Sequence, residues 1–242
     1  MKADMNLAAA PDLPLEGTDK TFRIRSFIRR QGRMTVAQKK ALEVFWPRYG
    51  LSLQNPLMEN ALLPRGVPLI LEIGFGNGDS LVAMAEAHPE YDYIGIEVHL
   101  PGVGHLLHRA GELNLQNLKV YADDAIDVLQ QAVKDQSLDR VQLFFPDPWH
   151  KKRHHKRRIV NADFLSLLHQ KIKPGGQFHV ATDWKPYALQ IAETLKAAQG
   201  FTPSAPDGSP FSERPHDRPI TKFEHRGQRL GHGVWDLIWT RQ

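Results

Sequence analysis

Four carboxylates and a turn of three glycines are the parts of this 242-residue chain whose types and spacing can do chemistry. The run Leu71-Glu72-Ile73-Gly74-Phe75-Gly76-Asn77-Gly78 puts glycines where a β-branched stretch gives way to a helical one. The backbone there can approach a ligand without side-chain interference. Glu97 lies 19 residues beyond Gly78, at the end of the next apolar stretch, where a carboxylate can accept both hydroxyls of a ribose. That pairing suits a nicotinamide dinucleotide as well as an adenosyl cofactor. Glu72 separates the two, because a carboxylate beside the glycines repels a pyrophosphate and attracts a cation. The spacing GxGxG, in place of GxGxxG, points the same way. A methionine cation joined to adenosine meets both demands, so S-adenosylmethionine is the expected cofactor. Asp124, at the end of the third apolar stretch, is placed to accept the adenine amino group and also to N-cap the helix that follows. Asp123 is the competing candidate.

The fourth apolar stretch ends in Phe144-Phe145-Pro146-Asp147-Pro148-Trp149. In open α/β sheets the carboxyl ends of the strands face the ligand crevice, so Asp147 is the expected catalytic group, pointing at the transferable methyl. Pro146 and Pro148 fix their own φ angles, offer no amide donor and hold the residues before them extended, which stiffens the turn. Trp149 reads equally as a core aromatic and as a stacking platform for an unstacked base. From His150 to Arg158 the chain holds six Lys/Arg and no acid. His150, His154 and His155 fall inside that run, where six cations would repel a metal ion, so no metal site is expected.

The elements that must position these groups follow from periodicity. Runs at 67–74, 91–98, 117–124, 141–148 and 177–184 read as strands and alternate with helical stretches beginning near Ser80, Gly102, Ala125, Asn161 and Pro186. Strand then helix, five times, specifies an α/β chain with a doubly wound, mostly parallel sheet. After a Pro-rich loop, TKFEHRGQRL and VWDLIWT flank Gly231-His232-Gly233 and read as a closing antiparallel hairpin. That order is the Rossmann-like class I methyltransferase architecture. Residues 1–19 read as a disordered leader, 20–60 as a basic N-terminal arm with a helix capped by Thr35, and 61–242 as the methyltransferase domain.

Charge distribution narrows the substrate. Net charge is +4, yet Lys20–Arg48 carries +8 and His150–Arg158 carries +6, leaving −10 on the remainder. Clustered cations on an acidic body are the footprint of a polyanion binder. The chain has no cysteine, which removes disulfides, thiol nucleophiles and thiolate metal sites. The first residues lack the apolar core of a signal peptide and no stretch is long and apolar enough to span a membrane, so a cytoplasmic protein is expected. Oligomeric state leaves no mark in the sequence. A methyltransferase for another RNA or a small molecule, an RNA-binding protein on an inactive methyltransferase fold, and a nicotinamide oxidoreductase are the rival readings; the basic segments argue against a small substrate, and the four carboxylates against the last two.

From about Arg25 to Trp239 the chain resembles the bacterial tRNA (guanine-N7-)-methyltransferases, through RSFIRRQGRMT, LEIGFGNGDSL, GIEVHLPGVGHLL, FPDPWHKKRHHKRRIV, HVATDW and RPITKFEHRGQRLGHGVWDL. The combination of PDPW, a basic run and TKFE is far more specific than the glycine turn. The resemblance implies that Glu72, Glu97, Asp124 and Asp147 contact S-adenosylmethionine, with Gly74, Gly76 and Gly78 forming the turn around it. It also implies that Lys151, Asp183 and the stretch Thr221-Lys222-Phe223-Glu224 bind substrate, and that Arg153, His154, His155, Lys156, Arg157 and Arg158 contact RNA. The implied target is guanine 46, in the tRNA variable loop.

Overall fold

The alternation of strand and helix builds one eight-stranded sheet, in the order β1-β4-β3-β2-β5-β6-β8-β7. The structure is a computed structural model that describes residues 24–27, 33–53, 66–220, 224 and 233–242. Five strands form the parallel centre: β2 (Leu69–Ile73), β3 (Asp92–Ile96), β4 (Leu118–Tyr121), β5 (Leu138–Phe144) and β6 (Ile172–Thr182). Every residue of β2, β3 and β4 is buried. Strands covered on both faces read as largely apolar runs, and each of these is apolar but for one charged residue: Glu72, Asp92 and Lys119.

Three helices cover each face. α1 (Val36–Tyr49), α2 (Asp79–Ala87) and α3 (Leu100–Glu112) pack on one cluster of apolar side chains, with Ile70 from β2. α4 (Ala125–Gln131), α5 (Ala162–Lys171) and α6 (Lys185–Ala197) pack on the other, with Leu69, Leu71 and Ile73. The five α-helices described after residue 66 begin within about two residues of the positions expected from sequence, because each is opened by a cap, a proline or the glycine turn.

Part of the basic arm belongs to this fold. Thr35 caps α1 with a full capping box: its Oγ1 accepts from the Gln38 N–H at 3.2 Å, and Gln38 Oε1 accepts from the Thr35 N–H at 2.8 Å. Tyr49 then donates its hydroxyl to the carbonyls of Ala110 and Leu115 at 2.9 and 3.1 Å. The chain continues as β1 (Gly50–Leu51), which extends the sheet beyond β4 in parallel. Trp46 and Tyr49 are buried and Arg48 donates to Asn114 Oδ1 at 2.6 Å, so the end of the arm is anchored by apolar burial together with hydrogen bonds.

The sheet closes antiparallel, with β8 (Trp235–Arg241) between β6 and β7 (Phe201–Pro203). The hairpin partner expected at 221–230 lies outside the described residues except for Glu224. Among the described residues β8 is flanked instead by β6 and β7, with a single bridge from Ser212 to Asp236. β7 left no sequence signal because it is three residues long and ends in a proline.

Candidate active site

The chain leaves β2 toward β3 on one side, while β5 pairs on the other. That reversal of strand order opens a crevice outside the carboxyl ends of β2 and β5. The three glycines take φ of +73°, +61° and +77° at 74, 76 and 78, a backbone region that side chains disfavour. A Cβ on Gly74 or Gly76 would meet nothing within 4 Å, so both face open space. The turn is locked from behind. Gly74 donates its N–H to the Ile96 carbonyl at 2.7 Å, while Glu97 accepts from the Gly76 and His99 N–H groups, both at 2.9 Å.

A cleft of about 260 Å³ lies here, lined among others by Gly74, Gly76, Glu97, Phe145 and Asp147. Glu72, two residues before Gly74, is 2% exposed and buried near Glu97 rather than on the cleft wall itself. Burial, and then the neighbouring Glu97, push its carboxyl up to about 8; burial also raises Glu97, against the three backbone hydrogen bonds that favour its ionised form. Glu72 Oε2 has no hydrogen-bond partner among the described residues. A buried carboxylate lacking a donor is completed by a cation, and a glycine turn open to the cleft leaves room for one joined to a nucleoside. The open glycine turn and the Glu97 carboxylate on the cleft wall therefore fit S-adenosylmethionine, with the Glu72 carboxyl buried nearby.

Asp124 and its competitor Asp123, the two candidates for the adenine contact, line different clefts. Asp123 lines this cleft. Asp124 accepts the Ile126 N–H at 3.0 Å as N-cap of α4 and lines an adjoining cleft with Ile126, Lys156 and Arg158. Two carboxylates in sequence at a strand end point to different sides, and only packing decides which is which.

Asp147 is exposed and lines the cleft. Phe145 and Trp149, on either side of Pro146-Asp147-Pro148, have φ of +52° and +47°, which is uncommon for aromatic side chains and costs of order 1 kcal/mol or more each. Phe145 donates its N–H to the Ala181 carbonyl at 2.8 Å. Trp149 is neither a core residue nor an open platform. Its Nε1 donates to the Ser26 carbonyl at 3.1 Å, with the Arg157 guanidinium 5.2 Å above its ring. Arg157 also donates to the Arg25 carbonyl at 3.4 Å. Segment 24–27 is thereby laid across the cleft, where Ser26 and Phe27 form part of its wall. They fall in the RSFIRRQGRMT motif, but nothing local places them at the cleft, because the contact spans more than 120 residues.

The basic run forms a 3-10 helix, Lys152–Arg157, with Lys151 at its N-cap. Lys151, Lys152, Arg153 and Lys156 are exposed, whereas His154, His155 and Arg157 are partly buried. Arg158, expected from the resemblance as an RNA contact, is 6% exposed and turned inward. Asp183 is half-buried just past the end of β6. The His150 and Trp184 rings, 4.4 Å apart, hold the neighbouring loops together. Thr221, Lys222 and Phe223 lie outside the described residues. Glu224 is 2% exposed and accepts from Arg218 Nη1 at 2.6 Å and Nη2 at 3.3 Å. Arg218 also pairs with Asp236, whose Oδ1 is 2.7 Å from His179 Nε2. Sequence reasoning missed this buried cluster, since its members come from β6, β8 and the Pro-rich loop.

Residues 67–237 match a protein family described as "Putative methyltransferase". A tRNA (guanine-N(7)-)-methyltransferase of Hydrogenovibrio crunogenus is 52% identical over 97% of this chain and 96% of its own length. Another, of Saccharophagus degradans, is 56% identical over 90% of this chain and 95% of its own. Among solved structures, a SAM dependent methyltransferase from Aquifex aeolicus has a TM-score of 0.51 at 13% identity, covering 72% of this chain and 82% of its own. The antibiotic-resistance methyltransferase Kmr has the same score at 16% identity, covering 75% and 91%. Those two likenesses concern the fold.

Proposed function

This chain belongs to the tRNA (guanine-N(7)-)-methyltransferase family, and from that membership we propose that it transfers a methyl group from S-adenosylmethionine to N7 of a guanine in tRNA, at position 46 of the variable loop. The observation that carries the site assignment is that Glu97 and Asp147, from the ends of different strands, line one cleft beside an exposed basic 3-10 helix. Glu97 and Asp123 on the cleft wall, with Glu72 buried near Glu97, would hold the cofactor, which would supply a methyl group on a positively charged sulfur. Guanine N7 carries a free lone pair at neutral pH, so no residue has to remove a proton. The N7–carbon bond forms as the sulfur–carbon bond breaks, and the positive charge passes to the base.

The work left to the protein is positioning and charge. Holding the two reacting atoms in line at about 3–3.5 Å supplies several kcal/mol through orientation alone. As N7 becomes positive, the guanine N1–H and amino group become stronger donors. A carboxylate on that edge therefore binds the transition state more tightly than the ground state. Asp147, exposed in the cleft, and Asp183, at the next strand end, are placed for this role, while Glu224 is committed to Arg218. Lys152, Arg153 and Lys156 offer phosphate contacts.

Incubation with methyl-labelled cofactor and bulk tRNA, followed by nucleoside analysis, tests the reading. Label in 7-methylguanosine supports it, and mapping the chain cleavage that the modified base permits tests position 46. Label in any other nucleoside refutes the reaction assigned.

A further inference from the structure

Two adjacent arginines end the basic run, and they do different things. Arg157 is partly exposed, while Arg158 is buried and has all three arms of its guanidinium engaged. Its Nε donates to the Pro148 carbonyl at 2.8 Å, its Nη1 to Gln190 Oε1 at 2.7 Å, and its Nη2 lies 3.1 Å from His155 Nε2. The guanidinium carbon stands 4.7 Å over the Tyr187 ring. Among the described residues no carboxylate forms an ion pair with it. Burying this cation is costly unless its donors are met, so a residue wanted only for its charge would be turned out toward solvent.

The acceptor explains the placement. Asp147 stands between two prolines, and neither Pro146 nor Pro148 has an N–H to bond. That leaves the Asp147 N–H and the carbonyls as the backbone groups through which the turn can be tethered, and the Nε donor of Arg158 takes the carbonyl that follows Asp147. The flanking residues, Phe145 and Trp149, hold the turn at its ends in an unfavourable backbone region, so the arrangement persists only where its surroundings over-determine it. Gln190 fixes the other end of the tether, and its own Nε2 donates to the Val160 carbonyl at 3.2 Å.

We propose that Arg158 is the positioning residue of the Asp147 turn, bracing it against α6 through the Pro148 carbonyl, and is not an RNA contact. The inference rests on the reading of Asp147 as the catalytic carboxylate. A planar guanidinium presents its donors on three separate nitrogens in a rigid fork, whereas an ammonium carries all of its donors on one nitrogen at the end of a flexible stem. Arg158→Lys therefore separates shape from charge.

The test uses the full chain with tRNA. Turnover is expressed per cofactor-binding site, so that loss of folded protein does not count as loss of kcat. For Arg158→Lys, kcat is expected to fall about tenfold or more, while KM for tRNA and the salt dependence of tRNA binding stay near those of the parent chain. Guanidinium ion added to Arg158→Ala is expected to restore part of kcat, a response that a residue serving only general stability would not give. A salt slope lower by about 0.7–0.9 with kcat intact would instead mark a phosphate contact and overturn the proposal. Should the Arg158 variants not fold, Gln190→Leu removes the far anchor alone, and an unchanged kcat there also overturns it. Failure of the functional reading looks different: the parent chain then labels no guanine N7, or Asp147→Asn is fully active.

Discussion

Replacing Glu72 by Gln changes almost nothing in volume and removes a group that must titrate in the dark of the core. The carboxyl is raised from its ordinary 4.5 to about 8 by burial and by Glu97. Between those two values the folded chain holds a proton that the unfolded chain has released, so stability falls as pH rises through the window. At about 1.4 kcal/mol per pH unit, the loss amounts to roughly 3 kcal/mol at pH 7 and roughly 5 kcal/mol once pH passes 8. Gln carries no such dependence. The variant is expected to be more stable than the parent by a few kcal/mol at pH 8.5, with the difference gone below pH 4.5. Cofactor binding should run the other way. A cation beside Glu72 favours the ionised form, so the parent chain releases a proton on binding. Its affinity should then rise with pH by up to about tenfold per unit until pH 8, while the Gln variant binds weakly and with a flat profile. Urea unfolding at several pH values, and calorimetry in buffers of different ionisation enthalpy, measure both effects. Parallel pH profiles of stability for the two chains, together with equal cofactor affinity, would refute the reasoning.

Asp147→Asn is expected to lower kcat about 10²–10³-fold, in the range of losing one transition-state contact, with tRNA affinity little changed; single-turnover kinetics and filter binding separate the two quantities. Exchanging the exposed Lys152, Arg153 and Lys156 for Gln should reduce the logarithmic salt slope of tRNA binding by about two to three, and a slope equal to the parent's would place these residues away from RNA. The two neighbouring aspartates should part company. Asp123→Ala is expected to weaken cofactor binding, since Asp123 lines the cleft. Asp124→Ala, which loses the α4 cap, should cost about 1 kcal/mol of stability, read by urea unfolding; the reverse outcome would restore Asp124 as the adenine partner.

The sequence by itself determined the alternating sheet, the glycine turn and the strand ends that carry Glu72, Glu97 and Asp147. These are local properties. A β-branched run and a requirement for positive φ at Gly74, Gly76 and Gly78 act within a few residues of the chain and survive what packs around them, whereas the extended backbone expected before Pro146 does not: Phe145 takes φ of +52°. Tertiary structure alone decided which of Asp123 and Asp124 faces the cleft, that Ser26 and Phe27 form part of its wall, and that Arg218 engages Glu224 and Asp236. It also parted Arg157 from Arg158. The two are identical in type and adjacent in the chain, so composition treats them alike. One step around a three-residue turn carries the second onto the Tyr187 ring and the Gln190 amide, groups about 30 residues away, and the direction of a long cationic side chain is set by what waits for it there.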